Sequence, residues 1–187
     1  MLNNKNPDPR MKDIELALRY FAFKCFPEQY QGNLKEFLDT TCENLNKSWE
    51  NSELQIRELF QELENTIVYL TELFRPDSVF CRYKDGTCSG RFNRAIYEVL
   101  TYYFSFHEIR SAIDQKKELF VEKFVKLNDN SMFIHAVSDT TKEIHRVDLR
   151  FSLIADLLET VIGKEKSHVK IPRLALEEGR FVVVKAE

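Results

Sequence analysis

The segment RMKDIELALRYFAF, Arg10 to Phe23, is apolar in two directions at once. On a helical wheel of about 100° per residue, Met11, Ile14, Ala17, Leu18, Phe21 and Cys25 form one wide face. Leu16 and Phe23, with Tyr20 beside them, form a second, narrower stripe. Lys12, Glu15 and Arg19 fill one gap between the stripes, and Arg10 and Asp13 fall nearer the other. Such a helix is either central in a bundle or shared between a bundle and another body. Glu15 and Arg19 stand at i,i+4 with the acid first, the favourable order for an ion pair. If the pair is buried it must be satisfied internally, because an unpaired buried charge is costly. Three roles are open to it: a structural tie holding the helix in register, a contact surface for a partner domain, and direct catalysis.

The segment DTTKEIHRVDLRFSLIADLLETVIG repeats the pattern. Ile144, Val147, Phe151, Ile154, Leu158 and Val161 form one face. Leu149, Leu153 and Leu157 form a second stripe, flanked by Arg146 and Arg150. Two doubly apolar helices in one chain imply either a crowded centre or a surface that meets something else.

Between these segments the chain is sparsely punctuated. Only 5 Gly and 5 Pro occur in 187 residues, which favours long helices over tight turns. The 15 Phe suit helix-on-helix packing. Asp8 and Pro9 are start signals for a first helix running to about Cys25. Asn33 caps a second helix with Leu34, Phe37, Leu38, Thr41 and Leu45 on one face. KSWENS reads as a short break, and Ser52 as the cap of a third helix ending at Arg75-Pro76. Residues 77–90 read as irregular. A fourth helix covers Arg91 to Phe104 and a fifth Ile109 to Leu127. NDNSMFIHAV is a turn with a short helix, and a last long helix starts at Asp139 or Thr140 and closes at Gly163.

The expected fold is therefore mainly α: one bundle-like domain of about six helices over residues 1–163, with a β-like tail over 164–187. HVKI and RFVVVKAE in that tail form either a hairpin supported by the bundle or a strand added to another protein's sheet.

No apolar run approaches the ~20 residues of a membrane helix, and MLNNKNPDPR is too polar for a signal peptide. A cytoplasmic location is expected. The cysteines, Cys25, Cys42, Cys81 and Cys88, are then expected to be reduced structural thiols. Cys81 and Cys88, in CRYKDGTC, lack the spacing and companion ligands of a metal site.

PDPRMKDIELALRYFAF, YQGNLKEFLD, GRFNRAIYEVLTYYFS and FIHAVSDTTKEIHRVDLRF follow one another in that order. Over about residues 7 to 162 this run resembles the helical region of the GmrSD-type family, the domain of unknown function two-six-two. In that family a ParB/sulfiredoxin-like domain with a DGQQR motif precedes the helical half, and some members add an HNH nuclease module. The family is associated with nucleotide-dependent DNA cleavage and phage defence. Neither DGQQR nor an HNH arrangement occurs here, KDGTC being the nearest string. The resemblance thus implies the helical half without its catalytic half, as a split-gene subunit, a truncated relative or a fragment. It implies a DGQQR-domain nuclease subunit as partner. Arg10, Asp13, Glu15, Arg19, Arg146 and Arg150 are the polar residues expected to contact it.

Other chemistry is not legible. No Gly-rich phosphate loop and no nucleophile elbow occurs. His107, His135, His145 and His168 lack the upstream Arg of HEPN-type helical nucleases. No catalytic residue, metal ligand or cofactor is assigned. RPDSVFCRYKDGTCSGRFNR, however, sets Arg75, Arg82, Lys84, Arg91 and Arg94 against Asp77 and Asp85, with Tyr83 and Phe92 interleaved. Arg82, Lys84, Arg91 and Arg94 are candidates for phosphate or nucleic-acid contact, with aromatics for base stacking. The net charge of -3 argues against strong unaided binding.

Three functions follow in order. The first is a non-catalytic helical module that scaffolds or regulates a nuclease partner. The second is a nucleic-acid-binding subunit using residues 75–94. The third is an enzyme with a site the sequence does not disclose.

Overall fold

The first helix, α1 (Lys12–Cys25), starts without a capping side chain. Met11 takes a left-handed φ of 52°, and Asp13 and Glu15 in the first turn face the positive end of the helix dipole. Asp8 and Pro9 lie outside the residues described by the computed structural model, which are 11–163 and 169–184. A short 3-10 turn, Pro27–Gln29, and Gly32 at φ 86° then reverse the chain. Asn33 caps α2 (Leu34–Phe74), its Oδ1 accepting from the Glu36 amide and its Nδ2 donating to the Glu36 carboxylate.

The expected break at KSWENS and the Ser52 cap are not there: α2 is one hydrogen-bonded helix of 41 residues. Its axis nevertheless turns. Straight, at 1.5 Å per residue, the distance from Phe37 to Glu62 would be about 37 Å. Yet the Phe37 ring lies 5.2 Å from that of Phe23, and the Glu62 carboxylate 3.6 Å from the ammonium of the next residue, Lys24. Those side chains at full stretch cannot span the difference, so α2 bends. Between Phe37 and Glu62, Ser48 Oγ donates back to the Leu45 carbonyl at 3.3 Å, the local competition that bends helices.

Residues 77–90, expected to be irregular, instead contain most of an antiparallel hairpin, β1 (Cys81–Lys84) and β2 (Thr87–Phe92). Asp85 and Gly86 turn it with φ of 50° and 74°, the two positive angles a type I′ turn requires. Because Arg91 and Phe92 belong to β2, the next helix, α3 (Arg94–Phe104), begins later than expected. Asn93 caps it by accepting from the amides of Ala95 (2.9 Å) and Ile96 (3.0 Å).

The expected fifth helix is two, α4 (His107–Asp114) and α5 (Lys117–Leu127). The break places the Lys116 ammonium on two terminal carbonyls, Val161 (2.9 Å) and Ile162 (3.1 Å), at the negative end of a later helix. Asn130 caps α6 (Ser131–Ser138). That later helix, α7 (Ile144–Ile162), starts after Glu143 rather than at Asp139 or Thr140, because Thr140 takes a left-handed φ of 44° that no helix continues through. Gly163, at φ 88°, closes it.

The chain is mainly helical, with seven α-helices among the described residues. The tail forms a second antiparallel hairpin, β3 (Arg173–Glu177) and β4 (Arg180–Val184), docked on α7. Arg173 reaches Asp156 and Glu159 of α7, each at 2.6 Å, and Leu174 and Phe181 enter the main core.

The centre of the fold is α3. From Ala95 to Phe104 every residue of it is buried. α1 covers it with Leu16 and Phe23, α7 with Val147, Phe151, Ile154 and Leu158, and the end of α2 with Leu70 and Phe74. In α1, Leu16 and Phe23 enter the main core, Tyr20 and Phe21 pack with Leu63 of α2 in a separate small cluster, and Met11 and Ile14 stay exposed, whereas in α7 Leu157 is buried in the main core and Leu153 packs against it.

Candidate nucleic-acid interface

The six residues expected to contact a partner have different fates. Glu98, in the first half of α3, is 1% exposed and must be neutralised where it stands. Arg150 of α7, 2% exposed, donates through Nη2 to its Oε1 and through Nη1 to the Thr141 carbonyl at 2.7 Å. Arg19 of α1 donates through Nη1 to Glu98 Oε2 at 3.1 Å and through Nε and Nη2 to Glu15 Oε1 at 3.0 and 2.7 Å. Burial alone lowers the pKa of the Arg19 guanidinium, and the fields of Glu98 and Glu15 outweigh it and hold it above the ordinary value.

Two acids and two guanidiniums thus form an internal network across α1, α3 and α7, open to solvent at Glu15 and with Arg150 Nε buried without a hydrogen-bond partner among the described residues. Arg19 and Arg150 are interior cations, which corrects their assignment to a partner surface. Glu15, Asp13 and Arg146 are partly buried. Arg10 lies outside the described residues.

The basic candidates also divide. Arg82 and Lys84 of β1 and Arg91 of β2 line one cleft of about 470 Å³ between the first hairpin and the end of α6. Arg94 does not join them: it sits in the first turn of α3 with Nε 4.0 Å from Glu15. Among the described residues no carboxylate lines the cleft. Among the described residues, no ion pair engages Arg82, Lys84 or Arg91. Arg82 is steered by one hydroxyl, donating from Nη1 to Ser138 Oγ at 2.7 Å, and its Nε is buried without a hydrogen-bond partner.

Of the two interleaved aromatics only Phe92 offers a ring to a ligand. It is 37% exposed and backed by Phe80 and Tyr97, with ring centroids 5.7 Å away in both cases. Tyr83 is buried, and its hydroxyl donates to the Ser78 carbonyl.

Asparagines hold this cleft to the bundle. Asn93 caps α3 with one side-chain atom and with the other donates to the Val137 carbonyl of α6 at 2.7 Å. Asn128, 2% exposed at the end of α5, accepts from the Tyr83 amide at 3.1 Å. Cys81 and Cys88 are joined as a disulfide across the hairpin, which corrects the expectation of reduced thiols there. Hairpin pairing brings their Cα atoms to 5.9 Å, within bridging range. Cys25 and Cys42 are free.

A second cleft, of about 540 Å³, opens between the starts of α1 and α2. Met11, Ile14, Leu18, Leu34 and Leu38 make it apolar, and Met11 and Ile14 are 65% and 63% exposed. Among the described residues there is no grouping of His, Cys, Asp and Glu able to hold a metal ion. No helix among them is long and apolar enough to cross a membrane. His107, His135 and His145 stand apart from both clefts, and His168 lies outside the described residues.

No family model, curated protein or solved structure matches the chain. The resemblance to GmrSD-type helical regions rests on the quoted segments alone.

Proposed function

We propose that this chain is a non-catalytic helical module that grips the phosphate backbone of single-stranded nucleic acid through Arg82, Lys84 and Arg91, with Phe92 as a stacking platform. The observation that carries this reading is a cleft lined, among the described residues, by three cations and no acid, with one open aromatic face at its edge. Cations aimed at phosphates give sequence-independent, salt-sensitive binding, and an exposed ring accepts any base. With three phosphate contacts on a single strand, log K should fall with log salt at a slope of about -2. Replacing Arg82, Lys84 and Arg91 together by Ala should abolish binding of a labelled oligothymidylate, whereas Arg94→Ala should leave it intact. Binding that ignores salt, or survives the triple replacement, refutes the reading.

A second reading rests on the apolar cleft between α1 and α2. In this reading the chain works beside a ParB/sulfiredoxin-like nuclease half in bacterial phage defence, in the cytoplasm. With Arg19 and Arg150 occupied internally, the partner's seat in this reading is Met11, Ile14 and their neighbours rather than the charged stripes. Ile14→Glu, at an exposed position, should then release a co-purifying DGQQR-domain subunit without unfolding the chain. Undiminished co-purification excludes this surface.

A further inference from the structure

The Cys81–Cys88 bridge joins the two strands that carry the cleft's cations, and those strands are anchored very differently. β1 is fixed from below: Cys81 and Tyr83 are buried, and Asn128 holds the Tyr83 amide. β2 buries none of its residues. Its pairing with β1 is interrupted, running Lys84 with Thr87, Tyr83 with Cys88, then skipping to Cys81 with Phe92. Ser89, Gly90 and Arg91 fall in that gap, without ladder partners. Two-stranded hairpins are marginal on their own. The disulfide ties Cys88, at one end of the unpaired stretch, covalently to the anchored strand, while the Phe92 rung and the Asn93 amide, which donates to the Phe80 carbonyl at 2.7 Å, hold the end next to Arg91.

We propose that this bridge is a redox switch on the cleft: oxidised, it fixes both ends of the stretch that carries Arg91 beside Arg82 and Lys84 to bind nucleic acid, and reduced, it frees the Cys88 end, loosens that stretch and weakens binding. The inference rests on the nucleic-acid reading above. In the switching step a dithiol delivers two electrons and two protons to the Cys81 and Cys88 sulfurs, while its own two thiols close to a disulfide. Exchange with a disulfide oxidant runs the step backwards. In a reducing compartment a bridge that persists only in part is characteristically regulatory rather than structural. Arg82 keeps its place in both states through Ser138 and the anchored β1 strand. The lever therefore acts on Arg91.

The test measures anisotropy of a labelled oligothymidylate with the full-length protein, oxidised and after dithiothreitol, with the bridge verified by mass after alkylation. Reduction should weaken binding about tenfold, the worth of one charge-assisted contact. Cys88→Ser should bind like the reduced protein under both conditions. Arg91→Ala should bind about tenfold more weakly when oxidised and lose its response to dithiothreitol, because the contact the bridge controls is already gone. Equal affinity in both redox states, or a bridge that does not form under mild oxidation, overturns the switch and leaves the nucleic-acid reading standing. Binding absent from both forms overturns that reading and the switch together.

Discussion

Glu98 is the residue on which the interior network turns, and Glu98→Gln is the perturbation that isolates it. The replacement keeps the shape and removes the charge. Arg150, 2% exposed, would then face a neutral amide, and Arg19 would keep only Glu15. Removing one partner of a buried ion pair costs about 3–5 kcal/mol, most of it the penalty of the stranded charge. For a chain of this size each kcal/mol moves Tm by about 2–4 °C, so a fall of about 6–20 °C is expected by circular dichroism, with urea denaturation giving the free energy directly. Two comparisons make the result specific. Glu43→Gln removes an exposed i,i+4 partner of Lys47 and should leave Tm unchanged within error. Replacing Glu98, Arg19 and Arg150 together by Leu, Met and Met should recover much of the loss, since a packed apolar substitute strands no buried charge and the Glu15 carboxylate it unpairs is partly exposed, with Arg94 4.0 Å away. If Glu98→Gln costs under about 1 kcal/mol, the Glu98 pairs are not buried as described, and the reasoning fails.

Asn93→Ala removes the α3 cap and the bond to the Val137 carbonyl, and should cost about 2–3 kcal/mol in urea denaturation; a loss below that of an exposed cap would show that the α3–α6 tie is idle. Phe181→Ala, in the docked tail hairpin, should cost about 3–5 kcal/mol, where a merely appended tail would cost almost nothing. Burial pushes the Tyr30 phenol up to about 12 and those of Tyr20, Tyr97 and Tyr102 higher still. A phenol raised on folding stabilises the fold fully below its unfolded pKa of about 10, and that contribution is lost as pH rises through 10 toward the folded value. The protein should therefore unfold cooperatively in alkali with tyrosinate absorbance rising in step, and gradual ionisation near pH 10 in a still-folded chain would contradict it.

What the sequence disclosed and what it withheld follow from the range of the forces involved. The Asn33 cap, the Gly163 closure and the double stripes of α1 and α7 are local or periodic, and were legible. The meaning of the second stripes was not. Arg19 and Arg150 read as surface anchors because their counter-charge lies on a third element, 79 and 52 residues away. One signal did point to it: Glu98 is the lone charge in AIYEVLTYYF, a run otherwise suited to the middle of a core. An acid there demands cations from its neighbours.

The first hairpin was hidden for a different reason. Asp85-Gly86 is a strong turn signal, but its flanks are basic and polar on one side, so the alternation that marks a strand looks like a charge cluster. The disulfide was hidden with it, since Cys81 and Cys88 meet only once the strands pair. The expected break in α2 was a half-truth of the same kind. Weak helix formers do cluster between Asn44 and Ser52, and they bend the axis without stopping the hydrogen bonds.

The arginines can finally be sorted by what satisfies them. Arg19 and Arg150 answer Glu98, and Arg173 answers Asp156 and Glu159. Arg110 answers the carbonyls of Phe104 and Ser105 at the end of α3. Each of these ties one element to another and has a clear structural task. Arg82, Lys84 and Arg91 differ in converging on one cleft, where among the described residues the Ser138 hydroxyl is the one side-chain acceptor that any of them meets. Convergent like charges repel, and a hairpin that buries little has scant stability to set against the repulsion. A bound phosphate removes that cost and satisfies the idle donors at once. Ligand should therefore stabilise the hairpin more than the bundle, and hydrogen exchange should find its added protection concentrated in residues 81–92.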